Sequence, residues 1–187
     1  MLLLQKGETQ SATVYFEEAL RLNNVQLAVT RSLEELIKIH IKIKDFYQAA
    51  FQISRASHLN LNRPYLQGIF DFVEGVVDSI KKRYKDSLEK LKRVLELLSN
   101  KDHSKNCSYS QLIQDNIHLY LGYSYFCSQQ YKQALLHYNK VGPPHSETPS
   151  FQYNKCLCEG ILKHSEQKFA EAASTFEEAK KHMPNRV

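Results

Sequence analysis

Apolar residues return every three or four positions through most of this 187-residue chain. That is the period of a helix with one buried face. The pattern predicts helices over about 10–22, 26–42, 46–58, 65–80, 84–99, 110–128, 131–141, 150–164 and 168–181. Two interruptions are strongest. Residues 99–110, from Ser99 through Asp102 and His103 to Ser110, carry no apolar period and read as a solvated insertion between helices. Residues 142–150 include Pro143 and Pro144, whose rings remove amide donors and constrain the residue before them, so this stretch reads as a linker after a helix ending near Val141.

One short phrase recurs along the chain. It runs aromatic, polar, polar, small in Phe46-Tyr47-Gln48-Ala49, Tyr84-Lys85-Asp86-Ser87 and Tyr131-Lys132-Gln133-Ala134, and returns in Phe169-Ala170-Glu171-Ala172 with Ala170 in a polar place. An earlier small residue, Ala12, fits a first copy, and the markers are then 37, 38, 47 and 38 residues apart. Such spacing predicts a stack of helical hairpins whose neighbours complete one another's core, with the 99–110 segment absorbing the long step. A small side chain lets two backbones approach at the hairpin crossing, while the aromatic three residues earlier fills the angle between them. In the last copy, Phe169, Ala172, Ala173, Phe176 and Ala179 are expected to share one face against the preceding helix. The whole chain, 1–187, then forms a single helical-repeat domain of about five units, the first incomplete.

Composition agrees with an ordinary folded chain and narrows the chemistry. Hydrophobic residues make up 42% and charged ones 24%, with only 6 Gly and 5 Pro, which favours helix throughout. The opening Met1-Leu2-Leu3-Leu4 is too brief for a membrane span or a secretion signal. No transmembrane segment is expected, and the default location is intracellular, cytoplasmic or nuclear, with ciliary association left open. Four cysteines, Cys107, Cys127, Cys156 and Cys158, are too few for a disulfide scaffold and read as free thiols. Cys156-Leu157-Cys158 lacks the spacing and the second close Cys/His pair of a zinc knuckle, so neither a metal nor a cofactor is expected.

The small and aromatic positions resemble the tetratricopeptide repeat family. The fourth unit matches best, with Leu121-Gly122, Tyr125, Ala134 and Tyr138 in the family's places, and the fifth has Gly160, Ala172, Phe176, Ala179 and Pro184 in register. Other units diverge: Ile37 stands where a small residue is usual, Ile53 where an aromatic is usual, and the third unit keeps Gly75 with Ser87, Leu91 and Val94. Only eleven residues precede Ala12, leaving a shortened helix over Leu2–Gln5 or an expectation that the chain is a piece or short form of a longer repeat protein. The resemblance implies an all-α, right-handed superhelix of antiparallel hairpins whose first helices line a concave groove. In that register Asn116, Leu119, Tyr123 and Phe126, with Asn154, Leu157, Ile161 and His164, are the candidate protein-binding positions. The same apolar side chains also suit a core between helices. The Lys/Asn/Lys/Arg clamp by which some family members hold a chaperone tail is not reproduced, since Glu34, Lys38, Phe72, Val76, Leu119 and Tyr123 occupy those positions.

The formal charge of +5 is modest and mixed with acidic residues, but one stretch is concentrated. Lys81, Lys82, Arg83, Lys85, Lys90, Lys92 and Arg93 are candidates for contact with an acidic partner, steering encounter from one shoulder of the stack. No phosphate loop, zinc-protease histidine pair, serine elbow or carboxylate dyad is present, and Cys127 or Cys158 beside a histidine would be the only nucleophile to consider. The sequence therefore reads as an adaptor or scaffold subunit, not an enzyme, that binds a peptide or one or more proteins, including within a larger complex. The alternative is an RNA-binding helical-repeat protein using the basic surface. It lacks a regular set of aromatic and polar base readers, so nucleic acid is the weaker partner.

Overall fold

The computed structural model describes residues 9–22, 26–58, 64–99 and 110–183. Their helices are α1 (Thr9–Leu22), α2 (Gln26–Lys42), α3 (Phe46–His58), α4 (Pro64–Ile80), α5 (Tyr84–Ser99), α6 (Ser110–Cys127), α7 (Tyr131–Tyr138), α8 (Pro149–Ser165) and α9 (Phe169–His182). A short 3-10 turn, His145–Glu147, precedes α8. Among the described residues there is no strand, and no helix is long and apolar enough to cross a membrane. The interior of the expected 99–110 insertion, the expected short helix over Leu2–Gln5 and Pro184 lie outside the described residues.

Helix boundaries follow the apolar period closely, except at α7. That helix stops at Tyr138, three residues before the expected Val141, because the amides of Lys140 and Val141 turn back onto the carbonyl oxygens of His137 and Tyr138 at 2.9 and 3.1 Å. The tightened turn leads into the cis Pro143–Pro144 bond. Proline then reappears at the start of α8, where a missing amide proton removes no helical hydrogen bond.

Four hairpins share one turn. Lys44, Lys82, Gln129 and Gln167 each sit at φ near 60°. In each case the following amide reaches back five residues, as in Asp45 N to His40 O at 2.8 Å and Gln130 N to Tyr125 O at 2.9 Å. The left-handed residue itself donates three residues back, Lys44 to Ile41 O and Gln129 to Phe126 O. This double bond pattern satisfies the last carbonyls of the first helix and reverses the chain within three residues. Glycine usually occupies that position, and here Lys or Gln does so at the cost of a Cβ held against the carbonyl. At the start of α3 the Asp45 carboxylate accepts from Gln48 N at 3.1 Å, a side-chain cap that Gln130 and Lys168 do not make at the starts of α7 and α9.

Beyond the turn, the two backbones close on each other. Ala49, Ser87 and Ala134 have no exposed surface, Ala172 has 1% and Ala12 has 2%, so every marker of the recurrent phrase is buried. Across the crossing, the first helix presents glycine to a large residue of the second. A Cβ on Gly75 would lie 2.9 Å from Leu91, one on Gly122 would lie 2.4 Å from the Tyr138 ring, and one on Gly160 would lie 2.4 Å from the Phe176 ring. At the equivalent positions of the α2–α3 hairpin stand Ile37 and Ile53, both buried in the main core. Two medium side chains there replace one absent and one large.

Each helix packs against its neighbours in sequence, and the first helices of successive hairpins also meet, α4 with α6 and α6 with α8. Phe46, Phe72 and Tyr120, from α3, α4 and α6, form an edge-to-face triangle with ring centres 5.3 to 6.2 Å apart. The aromatic leading each second helix does not have one fate, however. Phe46 is buried, Tyr84 and Tyr131 are half-buried, and Phe169 is 59% exposed. Of the face expected on α9, Ala172 and Ala179 are buried and Phe176 half-buried, but Phe169 and Ala173 meet solvent. The reason is that Phe46 is sealed by helices that come after it in the chain, and no described helix follows α9.

Two predictions test this framework. Gly122→Ala should destabilise by about 1–3 kcal/mol through overpacking against Tyr138, and urea unfolding of the single and double variants with Tyr138→Ala should show strongly non-additive losses. Gln129→Gly should leave the fold intact and raise stability by up to about 1 kcal/mol, because it relieves the left-handed Cβ, as read from the urea midpoint.

Candidate functional site

The eight candidate positions on α6 and α8 are spaced three, four and three apart in each helix, so each set forms one stripe. Asn116 is buried and donates from Nδ2 to Leu112 O at 2.7 Å, a bond inside its own helix that ties up its amide. Leu119 and Phe126 are half-buried against the main core, Phe126 edge-to-face with Tyr131 at 5.9 Å. Tyr123 is exposed. On α8, Asn154, Leu157 and Ile161 are half-buried, and His164 is exposed with its ring edge-to-face on Phe169 at 5.3 Å. α6 and α8, which carry the two stripes, touch each other. Together they offer partly open apolar surface with one amide, Asn154, and one imidazole, His164, at its margins.

The stripe is not uniform along the stack. Its equivalents on α4 are Ile69, Phe72, Val76 and Ser79, all buried, with Tyr120 of α6 set against Phe72. On α2 they are Arg31, Glu34, Lys38 and Ile41, and Lys38 pairs with Glu35 at 2.7 Å. Among the described first-helix positions of this register, the α6 and α8 stretch combines apolar character with access.

The basic stretch is matched from within at three of its seven residues. Asp78 and Asp71 of α4 are both buried, and the turn before α5 and α5 itself bring cations to them: Arg83 and Lys90 pair with Asp78, the latter at 2.8 Å, and Arg93 lies 3.4 Å from Asp71. Lys90 also reaches Glu74 at 3.0 Å, and its ammonium pKa is raised, the carboxylates outweighing the opposing effect of burial. Lys92 lies over the Tyr125 ring, 5.3 Å from its centre. Lys81, Lys82 and Lys85 are exposed. Those with buried carboxylates act first as counter-ions, since an unmatched buried Asp is costly. Arg93 and Asp71 also border an open hollow of about 520 Å³ with Gln67, Glu96 and Leu97.

Two further polar groupings could not be seen as such in the sequence. Ser124 donates to Ser79 at 3.0 Å and shares a 2.9 Å hydrogen bond with Ser87, a buried chain of three hydroxyls joining α4, α5 and α6. His118 and His137 face each other, Nδ1 to Nδ1 at 3.0 Å, and His137 is stacked on Tyr125 at 5.5 Å. Burial, then the neighbouring His118, Lys140 and Lys92, push His137 down to about 4, and burial with Lys140 lowers His118. Two neutral imidazoles sharing one proton on this line satisfy each other.

Neither Cys156 nor Cys158 is poised as a nucleophile. Cys158 is fully buried and its thiol is pushed up to about 12 by burial, and the Cys156 thiol is also raised, mainly by burial. Cys156 and Cys158 point to different sides of α8, as residues two apart on a helix must. Cys158 joins the main core, whereas Cys156 has its sulfur near Glu178 and His182 of α9, the three donor atoms lying within 4.8 Å of one another. The sequence pairs Cys156 with Cys158, and only the α8–α9 hairpin brings Glu178 and His182 to it.

Neither a scan against protein-family models nor searches of curated proteins and solved structures finds a match to this chain.

The histidine pair predicts a pH dependence with a definite sign. Folded pKa values below the ordinary 6.5 mean that the unfolded chain takes up protons first, so stability is full above about pH 7 and is lost as pH falls toward 4. Between pH 7 and 5 the loss should be about 2 kcal/mol at about 1.4 kcal/mol per proton and pH unit, and His137→Gln should flatten most of it. A wild-type urea midpoint constant over that range would contradict the assignment.

Proposed function

We propose that this chain is a protein-binding module of tetratricopeptide type, its hairpins wound as a right-handed superhelix, serving as an adaptor or scaffold subunit. The observation that carries the reading is the repetition of one hairpin design: the same left-handed turn at Lys44, Lys82, Gln129 and Gln167, followed by a buried small residue at Ala49, Ser87, Ala134 and Ala172. A stack of such units has more surface for its volume than a compact globule, and its natural use is an extended contact. The part best suited is the α6–α8 stripe, where Leu119, Tyr123, Phe126, Leu157 and Ile161 provide apolar anchors that remain partly accessible. Tyrosine and phenylalanine in partly dry surroundings are efficient anchors because little rotamer freedom is lost on binding. A groove running the length of the stack is not part of the proposal, since Ile69, Phe72 and Val76 on α4 are already covered.

The internal pairing of Arg83, Lys90 and Arg93 weighs against nucleic acid as the main partner, because those charges are partly neutralised before any phosphate arrives. Lys81, Lys82 and Lys85 remain to steer an acidic partner toward the shoulder. The test is affinity capture of the full chain with quantitative crosslinking. Tyr123→Ala with Ile161→Ala should weaken capture about tenfold or more, while Lys81→Ala with Lys85→Ala should slow association and leave most of the affinity. Binding that ignores the apolar pair and vanishes with salt or with the lysines would overturn the proposal, provided circular dichroism shows both variants folded.

A further inference from the structure

We propose that Cys156, Glu178 and His182 form a zinc site that ties α9 to α8, with the fourth tetrahedral position taken by water. Their donor atoms already lie within 4.8 Å of one another across the α8–α9 crossing. In a tetrahedral zinc site with metal–ligand distances of about 2.0–2.3 Å, donor atoms are separated by roughly 3.3–3.6 Å. Closing the gap requires about an ångström of adjustment. The two α9 ligands can supply it: Glu178 is exposed and long, and His182 is half-buried at the last position of its helix. Cys156 is the fixed member, buried on the flank of α8.

Register makes the arrangement possible. Glu178 and His182 are one helical turn apart on α9 and therefore project from the same face. Ala172, Thr175 and Ala179 seat the neighbouring face of α9 near α8, where Lys163 donates to Thr175 Oγ1 at 2.9 Å. That contact and the close seating of the Phe176 ring on Gly160, where a Cβ would lie 2.4 Å from it, fix the helix pair on which the three donors converge.

The donor set favours zinc over other common divalent ions. Thiolate and imidazole are poor ligands for magnesium and calcium, while one sulfur, one nitrogen and one carboxylate oxygen suit a borderline metal without redox demands. The ion would displace the proton of the Cys156 thiol into solvent, forming the zinc–sulfur bond with no change of oxidation state, and bind the neutral His182 ring and the Glu178 carboxylate. Three protein ligands and an open position resemble a site that can accept a further donor from a bound partner, and they hold the terminal helix in either case.

The experiment uses the full chain with zinc alone, and cobalt as its spectroscopic substitute. One equivalent of zinc should bind with release of about one thiol proton and raise Tm. Cobalt should give the sulfur charge-transfer and strong visible bands of tetrahedral thiolate coordination. Glu178→Gln and His182→Gln, which alter accessible residues, should each weaken zinc at least tenfold without changing helicity in its absence. Cys156→Ser should abolish the sulfur band, and Cys158→Ser should leave it. Failure of zinc to bind below about 100 μM, or a sulfur band that survives Cys156→Ser, would overturn the site, as would binding unaffected by both α9 variants.

Discussion

Two helices of a hairpin can share a dry boundary only where their backbones come close enough to exclude everything larger than a hydrogen or a methyl group, and the rest of this structure depends on that closeness. Ala49, Ser87, Ala134 and Ala172 supply it from the second helices, Gly75, Gly122 and Gly160 from the first. Space surrendered at glycine is filled from the opposite side by Leu91, Tyr138 or Phe176. The volumes must be read as a pair: at the equivalent positions Ile37 and Ile53, both buried, divide the space differently. This is why divergence at single positions does not disturb the repeat.

Closeness at the crossing also dictates the turn. A hairpin whose helices nearly touch has room for only a very short reversal, and the left-handed cap provides one while bonding two of the last carbonyls of the first helix. The repeated φ near 60° at Lys44, Lys82, Gln129 and Gln167 is thus the backbone counterpart of the small-residue rule. Neither feature is tied to a particular side chain at the turn, and so Lys-Asp, Lys-Arg, Gln-Gln and Gln-Lys all serve at the last two turn positions.

Period and spacing made much of this legible from the residues alone: the helices, the hairpin pairing and the burial of the small markers follow from local rules that recur. The end of α7 did not, because the amides of Lys140 and Val141 choose a tighter bond only in view of the turn that follows. Phe169 departs from the expected buried face for a related reason. An aromatic at the start of a second helix is buried by what packs on it later, as Phe46 is by Tyr120, and an i, i+3 pattern carries no information about that neighbour. The basic run shows the same limit for charge. Lys90 and Arg93 look like surface charge in sequence, yet Asp71 and Asp78 on the preceding helix give them counter-ions. Of the candidate partner residues, Asn116 is buried and donates to Leu112, whereas Tyr123 is exposed.

Burial along the equivalent stripes bears directly on where a partner sits. α2 offers a charged strip, α4 a closed one, and α6 with α8 a partly open apolar one. The closure at α4 is produced by the chain itself, since Tyr120 lies against Phe72 where an incoming side chain would otherwise rest. Displacing it would expose Phe46 and Phe72 and break the ring triangle, a loss comparable to what one aromatic anchor returns on binding. An occupant that begins at Tyr123 and continues over Leu157 and Ile161 meets no such opposition. For the proposed binding role, this asymmetry favours the later hairpins over α2 and α4.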